Sequence, residues 1–171
     1  LRVLLSRRIE GLVVSLAGGV EEHFENIDTP LVFFNRVPVS NRYNKVQVKN
    51  FKAAFMGATH LLDHGYRRIA IIAGPQELNV GRDRLLGFKE ALLERDVEID
   101  PTYVRIKEFA ASEGYEAMRE LMQLPQRPEA VFTSNYALTL GAFQFLKDHG
   151  YRIPRDIAFI GYDETPWSTI V

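Results

Sequence analysis

The sequence predicts an α/β fold in which parallel strands alternate with amphipathic helices. Strand-like and helix-like segments alternate along the whole chain, and this order produces helices layered on parallel sheets. The run Ile69–Ala73 is apolar at every position, as expected of a strand that is covered on both faces. The pentapeptide DHGYR at 63–67 recurs at 148–152, and this repeat indicates two similar halves.

Each element follows from its local pattern. Short apolar or alternating runs predict strands near 11–17, 31–34, 45–48, 68–73, 104–108, 130–133 and 157–162. Longer segments with apolar residues three and four positions apart predict helices near 20–27, 52–64, 82–94, 112–124 and 136–149. The helix near 82–94, for example, carries Leu85, Phe88 and Leu92 on one face and places Arg82 and Arg84 in its first turn. Gly65 and Gly150 follow two of the helices, where glycine permits the left-handed conformation that ends a helix.

Composition narrows the class of protein. The chain of 171 residues is 46% hydrophobic and 25% charged, which is enough for a substantial core. Its net charge of −1 argues against a nucleic-acid-binding surface on this segment. The absence of cysteine excludes a disulfide framework, thiolate catalysis and cysteine-type zinc sites. No apolar stretch reaches the length of a membrane span, and the first residues are too short a run for a signal peptide.

Motifs for catalysis are missing from the sequence. His60 and His64 have the spacing of a zinc pair, but the glutamate that a zinc protease needs beside the first histidine is absent. The sequence contains no GxSxG elbow, no GxxxxGK[ST] loop and no GxGxxG after a strand. We therefore expect a binding module rather than an enzyme, with no cofactor and no metal.

Several motifs in the second half of the chain occur together in one known family. They are Gly74-Pro75 after an apolar strand, RLLGF at 84–88, PEAVF at 128–132, Ser134-Asn135, LGA at 140–142, IPRDI at 153–157 and IGYD at 160–163. In this order and spacing they resemble the effector-binding domain of LacI/GalR-type transcriptional regulators, and the resemblance extends over nearly all of the chain.

The resemblance implies a type I periplasmic-binding-protein-like fold, in which two Rossmann-like subdomains with parallel sheets enclose a ligand cleft. It divides the chain into residues 1–65 and 66–171 and implies that the fold is incomplete at both ends. A regulator of this family binds operator DNA through a headpiece, which is absent from this chain. We expect a cytoplasmic, homodimeric sensor for a small molecule, a sugar or sugar derivative. The alternatives are a free-standing sugar-binding protein of a transporter and an α/β enzyme.

Four candidate effector-binding residues combine suitable chemistry with a position that matches the family. The Arg84 guanidinium suits vicinal hydroxyls or a carboxylate. Asn135 and Asp163 each follow a predicted strand, and their side chains suit sugar hydroxyls. Asn135 could instead only cap the next helix, and Asp163 could be solvated in a turn. By resemblance, Phe109 occupies the position of an aromatic residue that stacks on the effector.

Two positions depart from the family pattern. Lys49-Asn50 stands where the family commonly has Asp-Asn, so Lys49 either contacts an anionic effector or points to solvent. Tyr136 stands where an aspartate is usual after Asn135. Both departures concern the identity of the ligand, not the fold.

The helix near 136–149 is apolar on two sides. Leu138 and Phe145 belong to a core-facing stripe, whereas Tyr136, Leu140 and Phe143 lie on the opposite face. By resemblance, that second face and the segment around Trp167 form a homodimer interface. The alternative is that another element of the same chain covers the second face.

Overall fold

The computed structural model describes residues 1–7, 9–18 and 21–164. Its helices are α1 (Arg2–Leu5), α2 (Asn50–Asp63), α3 (Asn79–Leu93), α4 (Ala111–Met122) and α5 (Tyr136–Asp148). Its strands are β1 (Leu12–Val14), β2 (Leu31–Phe34), β3 (Asn44–Val46), β4 (Ile69–Ala73), β5 (Val104–Ile106), β6 (Ala130–Thr133) and β7 (Ala158–Gly161). The elements include two short 3₁₀ turns, Glu21–Phe24 and Pro101–Tyr103.

The strands form two sheets in which all pairings are parallel. The first sheet has the order β1-β2-β3 and the second the order β5-β4-β6-β7. The first sheet follows the order of the chain. The second departs from it, because β5 and β6 lie on opposite sides of β4, and helices α3, α4 and α5 make the connections between its parallel strands. The predicted α/β class with two parallel sheets is therefore confirmed.

The four-stranded sheet is covered on both faces. Helices α2 and α3 pack on one face in a core that includes Phe88 and Phe132. Helices α4 and α5 pack on the other face around Met118, Leu138 and Leu146. The contact between α4 and α5 is close at Gly141, where an added Cβ would meet the carbonyl oxygen of Ala111 at 1.8 Å. All five residues of β4 are buried, as its uniformly apolar sequence predicts.

The three-stranded sheet is covered on one face only, in the described part of the chain. Its covered face packs around Phe33, which is fully buried against the rings of Phe24 and Tyr43. On its other face, Val13 is 77% exposed and the paired residues Phe34 and Val46 are 54% and 59% exposed. The amphipathic helix predicted near 20–27 is wrong in extent, because the structure forms only a 3₁₀ turn at Glu21–Phe24.

Helix α2 connects the two sheets along the chain and packs on the second one. Its buried residues Ala54, Ala58, Leu61 and Leu62 belong to the same core as β4 and β6. The subdomain boundary near Gly65 stays a prediction, and this packing favours a boundary before α2 instead. The DHGYR repeat has the same geometry in both copies, with Gly65 and Gly150 at φ of +88° and +72°. Since both copies precede strands of the four-stranded sheet, the repeat is not a correspondence between the two halves.

The predicted start of α3 is wrong by three residues. The helix begins at Asn79, so Arg84 lies in its second turn rather than its first, and Arg82 forms an ion pair with the neighbouring Asp83. None of the helices in the described ranges is long and apolar enough to cross a membrane.

Candidate functional site

A cavity of about 160 Å³ lies between the two sheets. Its lining residues come from both sheets and from the helix that follows β4: Asn35, Arg36, Val48, Val80, Arg84, Phe109, Asn135, Tyr162 and Asp163. Asn35 follows β2, Asn135 lies two residues after β6, and Tyr162 follows β7. These are the carboxyl ends of parallel strands, where open α/β sheets bind ligands. The position and the polar lining make this cavity the candidate effector site.

Arg84 is the buried cation of the cavity. Arg84 is only 6% exposed. Its Nε donates to Asn50 Oδ1 at 2.9 Å, and its Nη1 donates to the Ser134 carbonyl oxygen at 2.5 Å. Its guanidinium carbon lies 3.7 Å from the centre of the Tyr162 ring, a stacked geometry that arginine favours. Burial lowers the pKa of Arg84, and the nearby Asp163 carboxylate opposes this shift.

Asn135 and Asp163 meet at the start of helix α5. The Asn135 Oδ1 accepts from Leu138 N at 3.1 Å, so this side chain caps the helix and also lines the cavity. The Asp163 Oδ2 accepts from Tyr136 N at 3.1 Å, which places a carboxylate at the helix N-terminus, where the helix dipole favours negative charge. These two bonds do not use the amide nitrogen of Asn135 or the second carboxylate oxygen of Asp163.

Phe109 forms one wall of the cavity. Its ring packs on Gly74, where an added Cβ would lie 2.1 Å from the ring. A glycine directly after β4 is therefore needed for the aromatic ring to occupy this position. On the side of the first sheet, the Arg36 guanidinium carbon lies 5.2 Å from the centre of the same ring, within the range of a cation–π contact.

Asn79 joins the loop after β2 to the second sheet. Its Oδ1 accepts from Val37 N at 3.0 Å, and its Nδ2 donates to the Asn35 carbonyl oxygen at 3.1 Å. Both bonds bracket Arg36. Asn35 and Asp163 have φ angles of +60° and +77°, a conformation uncommon outside glycine that often marks functional sites.

Of the five effector-binding residues predicted from the sequence, the structure brings Arg84, Asn135, Asp163 and Phe109 to the lining of one cavity. Lys49 is exposed, precedes α2 and lies outside this lining. Asn35, Arg36 and Tyr162 also line the cavity, although their place there was not predicted from the sequence. The same argument that selected Asn135 and Asp163 would have found Asn35 and Arg36, because they directly follow β2.

Larger hollows lie elsewhere on the molecule. One of about 410 Å³ is lined by Tyr66, Glu129 and Asp156, and another of about 300 Å³ by Arg68, Asp100 and Tyr103. Both lie at the amino ends of the strands of the second sheet, where this class of fold does not bind its ligands. Glu129 has a structural role there, since it accepts from Arg67 N and Arg68 N at 3.0 and 3.1 Å.

The predicted dimer face lies on α5, away from its buried side. Tyr136 is 42% exposed, whereas Leu140 and Phe143 are half-buried, and the Phe143 ring lies 6.4 Å from that of Phe159. Trp167 lies outside the described residues. Within the described ranges, no group of three or more histidine, cysteine or acidic residues is arranged to hold a metal ion. His60 and His64 form a ring pair at the end of α2.

Comparison with known sequences identifies the class of protein. The profile described as Periplasmic binding protein-like domain matches residues 58–171. The chain therefore belongs to this family of periplasmic binding protein-like domains.

Three similar proteins define the class more closely. The chain is 34% identical over 170 residues to the HTH-type transcriptional repressor PurR of Pectobacterium atrosepticum, with 95% of this chain and 49% of that protein covered. A regulatory protein of the LacI family from Chloroflexus aggregans has a TM-score of 0.87 and 27% identity, with 99% of this chain and 62% of that chain covered. A complex of the transcriptional regulator CelR with cellobiose has a TM-score of 0.86 and 31% identity, with 96% of this chain and 52% of that chain covered.

These relatives confirm the resemblance to the effector-binding part of LacI-type regulators. Two are named as a transcriptional repressor and a transcriptional regulator, and the third as a regulatory protein of the LacI family. The chain spans about half the length of the curated relatives it matches.

Proposed function

We propose that this chain is the effector-sensing part of a LacI-type transcriptional regulator. In this proposal, a small molecule binds in the cavity between the two sheets and changes the affinity of the whole protein for operator DNA. The observation that carries the proposal is the lining of the cavity. It combines Arg84, Asn135 and Asp163 from the unit built on the four-stranded sheet with Asn35 and Arg36 from the unit built on the three-stranded sheet. The similarity to repressors of this family supports the same reading.

Residues of both units line the cavity, and this is what would allow a ligand to regulate the protein. An effector shifts an equilibrium between two states only by as much as its affinity differs between them. A ligand that contacts residues on both sides of the cavity binds best at one separation of the two sheets. Its binding energy therefore favours that arrangement of the two sheets. The change in arrangement would then alter the affinity of the DNA-binding part of the protein for operator DNA.

The proposed effector is a sugar or sugar derivative. Guanidinium, amide and carboxylate groups hold hydroxyls in defined directions, and the Phe109 ring offers an apolar face for a sugar ring. The cavity of about 160 Å³ is smaller than the ~300–1,000 Å³ of typical pockets for drug-sized ligands, and this size favours a single ring. The complex of CelR with cellobiose is consistent with a carbohydrate.

A ligand screen tests the effector site. Sugars, sugar acids and nucleosides are screened by thermal shift, since a ligand at 100 times its Kd stabilises by roughly 2.7 kcal/mol. Arg84→Ala should weaken the best ligand by about 1.5–3 kcal/mol, because it removes charged hydrogen bonds. Arg82→Ala is the matched control, because Arg82 lies on the same helix outside the cavity lining. Equal losses in both variants would contradict the site.

The functional protein is proposed to be a cytoplasmic homodimer that uses the face of Tyr136, Leu140 and Phe143, together with Trp167. A two-fold contact would bury this face against the same face of a second copy. Leu140→Asp would place an unpaired charge in that contact and should give monomers by sedimentation without loss of helical circular dichroism. An unaltered full-length protein that is monomeric at micromolar concentration would contradict the dimer.

A further inference from the structure

The cavity has an excess of positive charge. Among the described residues that line it, Arg36 and Arg84 are cations and Asp163 is the one acid. The Asp163 carboxylate already accepts a hydrogen bond from Tyr136 N through Oδ2. Within the described ranges, neither Arg36 nor Arg84 forms an ion pair.

Arg84 is a buried cation that forms no ion pair with a carboxylate of the described residues. Its bonds to Asn50 Oδ1 and the Ser134 carbonyl oxygen use two of the five N–H donors of a guanidinium, and both acceptors are neutral. Burial without an opposite charge is unfavourable for the ionised form, which agrees with the lowered pKa of Arg84. Arg36 adds a repulsive charge, whereas Asp163 adds an attractive one.

Arg36 is held in place at the cavity and is not a freely moving surface side chain. The two bonds made by Asn79 fix the backbone on either side of Arg36. Its guanidinium is held against the Phe109 ring, and the residue is half-buried. The fold therefore directs two cations, one from each unit, at the same small volume.

We propose that the effector carries an anionic group, a carboxylate or a phosphate, which binds between Arg36 and Arg84. The inference rests on the proposed function, because it takes this cavity as the effector site. The ring of the effector would lie on Phe109, with its hydroxyls toward Asn135 and Asp163. Lys49, which the sequence indicated as a candidate contact for an anionic effector, lies outside the cavity lining, so Arg36 has this role in the proposal.

The test compares matched ligands by isothermal titration calorimetry. Glucose, galactose and ribose are each titrated beside the corresponding sugar acid and the terminal phosphate ester. At least one charged member should bind the unaltered chain about tenfold more tightly than its neutral sugar, as expected for a charge-assisted hydrogen bond in place of a neutral one. The acid and the ester distinguish a carboxylate from a phosphate.

Variants of Arg36 separate charge recognition from general binding. Arg36→Gln should remove the preference for the charged ligand over its neutral sugar, whereas Arg36→Lys should retain part of the preference. Arg82→Gln removes a cation that does not line the cavity, so it should change neither affinity. Added salt should weaken only the charged ligand, because screening acts on that interaction.

The outcomes separate the two proposals. Binding of the neutral sugars at least as tightly as their charged partners, or a preference that survives Arg36→Gln, would overturn the anionic effector. If the ligands that bind the unaltered chain still lose their affinity in Arg84→Ala, the proposed effector site stands even though the anionic effector is overturned. Failure of every compound to bind the unaltered chain would count against both proposals.

Discussion

The four-stranded sheet and the three-stranded sheet differ in how completely they are covered. The four-stranded sheet has helices on both faces and two separate cores. The described part of the three-stranded sheet has one covered face and one face with exposed Val13, Phe34 and Val46. The cavity residues follow the same division. Arg84 from the four-stranded unit is buried and hydrogen-bonded, while Arg36 from the other unit is half-buried and held through Asn79.

This difference indicates that the two sheets contribute differently to the candidate site. Groups held by packing or by surrounding hydrogen bonds bind a ligand with a defined geometry. Arg84 is buried and hydrogen-bonded, and Asn135 and Asp163 are held by hydrogen bonds at the start of α5. The loop of Asn35 and Arg36 belongs to the three-stranded unit and is joined to the four-stranded unit through Asn79 and through the contact of Arg36 with the Phe109 ring. We infer that the four-stranded unit supplies the buried binding groups and the three-stranded unit supplies a second cation from the opposite side of the cavity.

The largest expected effect concerns the core of the four-stranded sheet. Phe132 is 1% exposed and lies between α2 and α3, with the Phe88 ring 6.0 Å away. Phe132→Ala should lower the free energy of unfolding by about 3–5 kcal/mol, because it leaves a cavity in a well-packed core. Urea unfolding measures the change. A loss as small as that of Phe34→Ala on the exposed face would contradict the difference between the sheets.

The sequence predicted the four-stranded unit better than the three-stranded one for a physical reason. Strands covered on both faces are apolar throughout, as in Ile69–Ala73, and the helices around them carry regular apolar stripes. The segment 20–27 also has apolar residues at helical spacing, Val20, Phe24 and Ile27, but it is only eight residues long, and the structure forms a single 3₁₀ turn there. Local pattern is informative where burial is complete.

The candidate site was predictable where it depends on strand ends and not where it depends on contacts between units. Asn135 and Asp163 follow strands, and their place at the cavity follows from that position. Arg36 also follows a strand, but its role depends on Asn79 and Phe109, which are distant in sequence. The start of α3 was missed for the same reason, since the Asn79 side chain bonds to the loop of the first unit and not to its own helix.

A smaller effect is expected at the amino ends of β4 and β6. The Glu129 carboxylate accepts from Arg67 N and Arg68 N and forms an ion pair with Arg68 at 2.9 Å. The backbone hydrogen bond from Arg67, with that from Arg68 and the charges of both arginines, lowers the pKa of Glu129. Glu129→Gln should cost about 0.5–1 kcal/mol near pH 7, since the pair is partly exposed to solvent.

The pH dependence of that variant follows from the direction of the shift. A carboxyl group whose pKa is lowered on folding stabilises the fold above its unfolded pKa, and this contribution is lost as the pH falls through the folded pKa. The difference between the unaltered chain and Glu129→Gln should therefore shrink as the solution is acidified below about pH 4.5. Urea unfolding at a series of pH values measures it. A difference that is constant with pH would exclude the carboxylate as the cause.

The smallest expected effect is on the exposed face of the three-stranded sheet. Phe34 is 54% exposed, and its partner Val46 in the neighbouring strand is 59% exposed. Because little apolar surface is removed from water at this position, Phe34→Ser should change the free energy of unfolding of the 171-residue chain by no more than about 0.5 kcal/mol. The buried Phe33, the next residue in the same strand, is the matched control, and Phe33→Ser should destabilise strongly because it places a hydroxyl in an apolar core. If Phe34→Ser were as destabilising as Phe33→Ser, the outer face would be covered in solution, and the two sheets would be alike in cover.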